Sequence, residues 1–571
     1  MRTLSIAAAL TVSVAISIGP PEPSEAQTAA PAPICTPGAA GSAMPRTLAQ
    51  WAEGARLFDG LGDFHRPATT KSAEAQKYFD QGMRYIWAFN HDEATRSFAK
   101  AAQLDPECAI CYWGVSLTVG PNYNLPLLAE PRAAVAWDAL QQAQHAVANT
   151  SPAERALITA LAKRYTSAAP LDPATAGPLL TAYAAAMKAV ARQYPDDPDI
   201  QVMAAEAAMT SNAWKLWSLD GNAAPGTEDI VSTLELVLSK HPTHAGANHY
   251  YIHAIEASPH PERGIAAAQR LKGMMPAAGH IEHMPAHIYQ RIGHYEAAAS
   301  ANRSGIAADL IYFEQARPPD YYAMYTGHNY QFLALSTAMQ GSKAETLKAV
   351  QKSREVMPDE MLLAMPGADW YVAEQYAGLI RFGMWDDILT EPPPNPKLPG
   401  LHGAYLYATA SALAAKSKID LAKTRLGELK AFAAAVADDS AGLNSLKDVL
   451  AIAILTVQAR IAAAEKKPDE AISLLGEAVA KEDQLAYDEP GDWFVPGRHL
   501  LGAMLLEANR AAEAERAYRD DLARYSENGW ALFGLARALE AQGKTADAVE
   551  ARKRSEAAWV RADIPLTASA F

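Results

Sequence analysis

Cysteine is scarce in this chain. Of 571 residues only Cys35, Cys108 and Cys111 carry a thiol. Cys108 and Cys111 stand three apart at an expected helix start, where a bridge is geometrically feasible. A redox pair of this spacing sits beside a strand-helix unit, and none is visible here. A structural disulfide and packed thiols both stay open. Positive charge is also short: 50 Lys and Arg against 64 Asp and Glu leave a net charge of −14 with no basic stripe, which argues against a nucleic-acid partner. Beyond the N-terminus no uncharged apolar run of about 18 residues occurs, so no membrane span is expected. Alternating β-branched runs are few, whereas 50% of the residues are apolar and many segments are Ala-rich. That combination predicts an all-α chain.

The first residues read MRTLSIAAALTVSVAISIGPPEPSEAQ. Arg2 supplies a positive start, Leu4 to Ile18 an apolar stretch, and Ser24-Glu25-Ala26 a cleavage site with small residues at both key positions. Residues 1–26 are therefore expected to be a signal peptide and the mature chain to be periplasmic or secreted. Residues 27–70, rich in Pro, Gly, Ala and Ser, read as an extended arm.

From there a repeat sets in. In AEAQKYFDQGMRYIWAFNHDEATRSFAKAAQLDP, counting Ala75 as position 1, Gly82 takes position 8, Tyr85 position 11, Ala94 position 20, Phe98 position 24 and Pro106 position 32. This is the tetratricopeptide pattern, a helix-turn-helix unit of about 34 residues whose small residues let the paired helices approach. Units starting at Val495 and Gly529 follow it again, with Gly502, Ala514 and Tyr518 at positions 8, 20 and 24 of the first. A Pro-rich break, EPPPNPKLPG at 391–400, divides the chain. The expected fold is an all-α tetratricopeptide superhelix in two arrays, 71–390 and 401–571, with a concave groove.

The most informative stretch runs from His241 to Tyr295. His249 and His253 are four apart, and so are His283 and His287, thirty-four residues further on. Residues four apart share a helix face. Registering these repeats on Ala245 and Gly279 puts His249 and His283 at position 5, His253 and His287 at position 9, His280 and the next repeat's His328 at position 2, and Glu256 at position 12. These positions point to the concave side. Imidazole is a common ligand for transition metals, and an all-nitrogen set suits copper, zinc or iron. His249, His253, His283 and His287 are thus expected to be metal ligands, with His328 and His280 as further candidates and Glu256 as a proton acceptor. Packed core histidines, or histidines copied by duplication, would be the bland alternative. The order in GHIEHMPAH differs from the HExxH protease motif.

A second cluster lies in LAYDEPGDWFVPGRHL, residues 485–500. Glu489, Trp493, Arg498 and His499 read either as a substrate clamp, an aromatic plate with an arginine for an anionic group, or as a loop holding an ordinary Arg-carboxylate pair.

The segments ANHYYIHAIEAS, HMPAHIYQRIG, FNHDEATRSFAKAAQLDP, EPGDWFVPGRHLLGAMLLE and SENGWALFGLARAL together resemble a family of exported bacterial tetratricopeptide proteins, over most of the mature chain. The resemblance implies periplasmic placement and a superhelical α fold, and transfers no catalytic residue. Ordinary grooves of this repeat carry Lys, Arg and Asn for peptide termini; here histidine holds those slots. The expected function is a transition-metal site on the concave face, able to serve a metal-dependent enzyme acting on a small-molecule or peptide ligand in the groove. A non-enzymatic peptide-binding scaffold and a metal carrier are the alternatives.

Overall fold

A computed structural model describes residues 44–316, 322–437 and 439–571. The signal-peptide reading, Cys35 and residues 317–321 fall outside the described residues. The protein is a solenoid of antiparallel helix pairs. Among the described residues the only strands are Ser440–Ala441 and Asn444–Ser445. Among the described residues no helix is long and apolar enough to cross a membrane.

The first repeat pairs helices Ala73–Trp87 and His91–Leu104. Ser72 and Asn90 cap their N-termini by accepting from the backbone N–H of Ala75 and Glu93. The turn between the helices is so tight that Phe89 takes the left-handed region, φ 53°. The Phe98 ring, fully buried, lies between Gly82 of its own repeat and Gly114 of the next; a Cβ at either glycine would run into it. At the far end of the chain Tyr518 lies in the same way between Gly502 and Gly534. Small residues at fixed repeat positions thus make room for one large ring per interface, and dense packing around that ring sets the spacing of the helices. Cys108 and Cys111 are bonded to each other at the start of helix Ala109–Val119, which resolves the open alternative in favour of the disulfide.

The histidine repeats follow the same plan. Helix Ala245–Ile255 carries His249 and His253. Helix Gly279–His283 continues past Met284 as Pro285–Arg291 and carries His280, His283 and His287. His328 lies on Ala323–Met339, which begins four residues before the repeat register placed it. Buried Asp309, on helix Tyr295–Gln315, fixes that last helix by accepting from Tyr322 Oη, Thr326 Oγ1 and Asn329 Nδ2 at 3.2, 3.1 and 2.9 Å. Gly279 is packed so closely on the same carboxylate that no side chain would fit there.

Residues 44–70, read from sequence as part of an extended arm, lie along the first repeats. Trp51 is fully buried, with the Arg96 and Arg132 guanidiniums over its ring, and Arg66 pairs with Asp197 and Asp199. The two arrays on either side of the Pro-rich segment touch each other. The C-terminal repeats fold back on the N-terminal ones: Trp530 Nε1 donates to the Ala338 carbonyl at 2.8 Å, and Asp563 caps the helix Lys343–Val356 by accepting from the Lys343 and Ala344 N–H groups.

Replacing Gly114 by Val should lower stability by about 1–3 kcal/mol through overpacking against Phe98. In denaturant titrations the loss should shrink when Phe98→Ala is added. Full additivity of the two substitutions would show that the glycine is not making room for that ring.

Candidate metal centre

The three helix segments bring all six predicted histidines together. They form two groups: His249, His253 and His280, and His283, His287 and His328; within each, ligating ring nitrogens lie within 4.8 Å of one another. A third group joins His253 and His287 to Glu256 and Glu489. The histidines were expected on an open groove wall. All but half-buried His328 are instead inside the protein. Phe89, from the tight turn of the first repeat, covers one side and stacks on His253 and His280, with ring centroids 5.6 Å away in both cases. Phe332 packs against His283, His287 and His328. From the C-terminal repeats, Tyr487 and Glu489 close the other side.

The hydrogen bonds fix which nitrogen of each ring is available. Nδ1–H of His249 donates to the Trp87 carbonyl at 2.6 Å. Nδ1–H of His253 donates to Glu256 Oε1 at 2.7 Å. Nδ1–H of His283 donates at 2.7 Å to Asn302 Oδ1, whose identity follows because Nδ2 of the same amide donates to the Ala298 carbonyl. Nδ1–H of His287 donates to Glu256 Oε2 and also lies 3.1 Å from Glu489 Oε2. Four rings therefore turn their Nε2 edge into the interior. Such outer partners are what hold a metal-binding imidazole in one tautomer and orientation.

Three details show what those edges lack. His283 Nε2 and His287 Nε2 face each other at 2.7 Å, a contact that requires a cation between them or on one of them. His249 Nε2 meets His280 Nε2 at 3.1 Å. His253 Nε2 and His280 Nδ1 are buried with no hydrogen-bond partner. An unsatisfied buried polar atom costs about 1–3 kcal/mol, so the interior tolerates two such costs at one place.

Electrostatics separates one ring from the others. Burial pushes His253 down to about 3, with Glu489 opposing and His287 adding to the fall. His249, His280, His283 and His328 are held well below the ordinary imidazole value, first by burial and then by the neighbouring rings. Burial also works against His287, but the carboxylates of Glu256 and Glu489 outweigh it and raise it to about 10. The chain by itself thus places a proton on His287, opposite the lone pair of His283. Five rings stay neutral, the form that binds a metal.

Two clefts reach this cluster. One, of about 710 Å³ including its mouth, exposes His253, His280, His287, His328 and Glu489 to a wall built from Leu125, Trp214, Met324 and Tyr371. The other reaches His287 and Glu489 from the side of Arg291 and Tyr487. Glu256, expected to accept a proton from a ligand, has both oxygens engaged by imidazoles and is 1% exposed. It orients rings from two repeats. Glu489 and its neighbour Asp488 are the carboxylates that line both clefts.

The expected clamp does not assemble. Arg498 forms a two-pronged ion pair with Asp483, at 2.7 and 2.6 Å. His499 is enclosed between Arg381 and Asp521. Trp493 packs on Tyr407 and gives its backbone neighbourhood to Trp370, whose Nε1 donates to the Asp492 carbonyl. Only Glu489 of the four reaches the histidines, because the chain turns away from them after Pro490. Other polar side chains of the histidine helices turn elsewhere: Glu282 accepts from the Gly273 N–H, Asn248 from Arg270, and Tyr250 donates to the Ile86 carbonyl. The partners that sequence reasoning missed are the Trp87 carbonyl, Asn302, Phe89, Phe332 and the link from Glu489 to His287. The first is backbone and carries no sequence signal; Asn302 falls one helix past the histidines and could have been found by asking what faces position 5.

No protein-family model matches the sequence, and no curated protein matches it. Among solved structures, the human IFIT1 dimer with m7Gppp-AAAA superposes with a TM-score of 0.32 at 11% identity, covering 90% of this chain and 97% of that one. The APC/C hetero-tetramer Cut9–Hcn1 gives 0.33 at 12%, covering 89% and 81%. Superpositions at this level carry no argument about the chain, whose architecture rests on its own helices.

In chelator-treated protein the depressed histidines govern acid stability. Their folded values lie below the ordinary value of about 6.5, so on acidification the unfolded chain takes up protons first. Stability held above that pH is lost as pH falls toward 3. His287 adds no slope there, being protonated in both states; its share is fully present below about 6.5 and lost as pH rises through about 10. His253→Leu should flatten the fall between pH 6 and 4 by about 1.4 kcal/mol per pH unit, one proton's worth. Denaturant midpoints that keep the full slope would contradict this assignment.

Proposed function

We propose that this protein is an exported transition-metal protein whose ions are held by His249, His253, His280, His283, His287 and His328, and that it acts as a metal-dependent enzyme on a small molecule entering the larger cleft. The observation that carries the reading is the outward anchoring of four Nδ1–H groups with the Nε2 edges turned inward. A merely structural histidine in a core satisfies both nitrogens; here His253 Nε2 and His280 Nδ1 are left without a partner. The donor set is imidazole with carboxylate nearby and no thiolate, which suits copper, zinc or iron. Bound there, such an ion supplies Lewis acidity or a redox centre.

The chain's own residues do the remaining work. Glu256 keeps His253 and His287 in one tautomer, and Phe89 and Phe332 keep bulk water off the rings. Glu489 presents a carboxylate to whatever occupies the cleft. Trp214, Tyr325, Tyr371 and Leu125 make its wall aromatic and apolar, with amides from Asn122, Asn124 and Gln331 and no lysine or arginine among the lining residues. An uncharged, aromatic or otherwise flat substrate fits that chemistry better than an anion. A peptide-binding scaffold is supported less, because Tyr487 and Glu489 from the C-terminal repeats already occupy the face of the histidine helices where a peptide would lie.

Elemental analysis of protein isolated from its native compartment should find a transition metal that is lost in His253→Ala/His287→Ala. Equal, sub-stoichiometric metal in both proteins would sink the reading. Glu256→Gln should keep the fold and weaken metal affinity about 10–100-fold, as loss of an outer partner does; unchanged affinity in a chelator competition would remove Glu256 from its orienting role.

A further inference from the structure

The six histidines divide by position along the solenoid. His249 and His253, at positions 5 and 9 of one repeat, are joined by His280 at position 2 of the next. His283 and His287, at positions 5 and 9 of that repeat, are joined by His328 at position 2 of the one after. One step along the superhelix therefore carries the first triad onto the second, ligand for ligand. The groups of mutually close ligating nitrogens follow the same division: among the described residues, each histidine-only group lies wholly within one triad.

From this geometry we propose that each triad holds its own transition-metal ion, so that the protein carries a paired two-ion centre rather than one ion shared by two histidine pairs. The proposal rests on the metal-binding reading above and extends it to the number and arrangement of the ions. Three observations support it. The triads adjoin, with ring centroids of His253 and His287 5.4 Å apart and those of His280 and His283 5.7 Å apart. Glu256 ties them together: one oxygen takes the Nδ1–H of His253 and the other that of His287, the position-9 rings of the two triads. Finally, Glu256 and Glu489 put two buried carboxylates between the triads, which offsets the repulsion of two neighbouring cations in a poorly solvated interior.

The duplication has a simple physical origin. A solenoid repeats its backbone, so a helix pair that presents three imidazoles from positions 5, 9 and 2 can present them again one unit later without new scaffolding. What does not repeat is Glu256, at position 12 of the first unit. The corresponding position 12 of the second holds Gln290, which points instead to Phe332 and Ser336. One bridging carboxylate for two triads is the expected count if the pair works as a unit.

The test uses the full chain, stripped with a chelator, loaded separately with Zn(II) and Cu(II), and dialysed against a weak chelator before elemental analysis. Two ions per chain are expected, falling to one in His249→Ala/His253→Ala and to one in His283→Ala/His287→Ala, each checked for retained helicity. One ion per chain in the unaltered protein, lost in either variant, would overturn the paired centre while leaving the proposed function standing. Two ions that both survive either double substitution would also overturn it. No bound ion in the unaltered protein would overturn this proposal and the metal-binding reading together. The count in the unaltered protein decides the matter even where a variant fails to fold.

Discussion

Everything at the centre of this molecule depends on where six clustered imidazoles place their ring hydrogens. An imidazole buried as deeply as His249 or His283 must satisfy at least one nitrogen, or the cost of burial is uncompensated. The carbonyl of Trp87, the amide of Asn302 and the two oxygens of Glu256 take four Nδ1–H groups. That choice leaves the other edge of each ring turned inward. The Glu256 carboxylate is the most consequential of these partners, since it reaches rings on two successive repeats and so ties their orientations to each other.

The scaffold makes that convergence feasible by holding its helices close. Phe98 between Gly82 and Gly114, and Tyr518 between Gly502 and Gly534, show the same device at both ends of the chain. At the histidine repeats the device changes. Gly279 packs on Asp309, and Asp309 accepts three hydrogen bonds from the helix that carries His328. A polar clamp replaces an aromatic spacer at the place where the histidine helices meet, in keeping with the finer orientation that hydrogen bonds impose.

The C-terminal repeats do more than lengthen the solenoid. By folding back they bring Tyr487 and Glu489 onto the histidine helices and leave two clefts instead of one open groove. Burial then acts on the rings directly: five are held neutral, whereas His287, facing two carboxylates, is held charged. A groove histidine on a free-standing array would titrate near its ordinary value.

The sequence by itself determined the helical repeat and the histidine register. Those readings depend on local periodicity: Gly82, Ala94 and Phe98 recur at repeat spacing, and residues four apart on a helix share a face whatever surrounds them. It also singled out all six histidines and Glu256, because position 2, 5, 9 or 12 of a known unit has a known direction. The tertiary structure alone decided how they are grouped, what surrounds them and which neighbour completes them. The division into two triads depends on which helix lies next to which. The burial of the rings depends on Phe89, a turn residue 160 positions before His249, and on Glu489, more than 200 positions after His287. The separation of Arg498 and His499 from Glu489 depends on Asp483, Arg381 and Asp521 drawing them elsewhere. Contacts between segments so far apart in the chain leave no periodic trace, because they are set by how whole repeats stack and fold back, not by the spacing of residues within one.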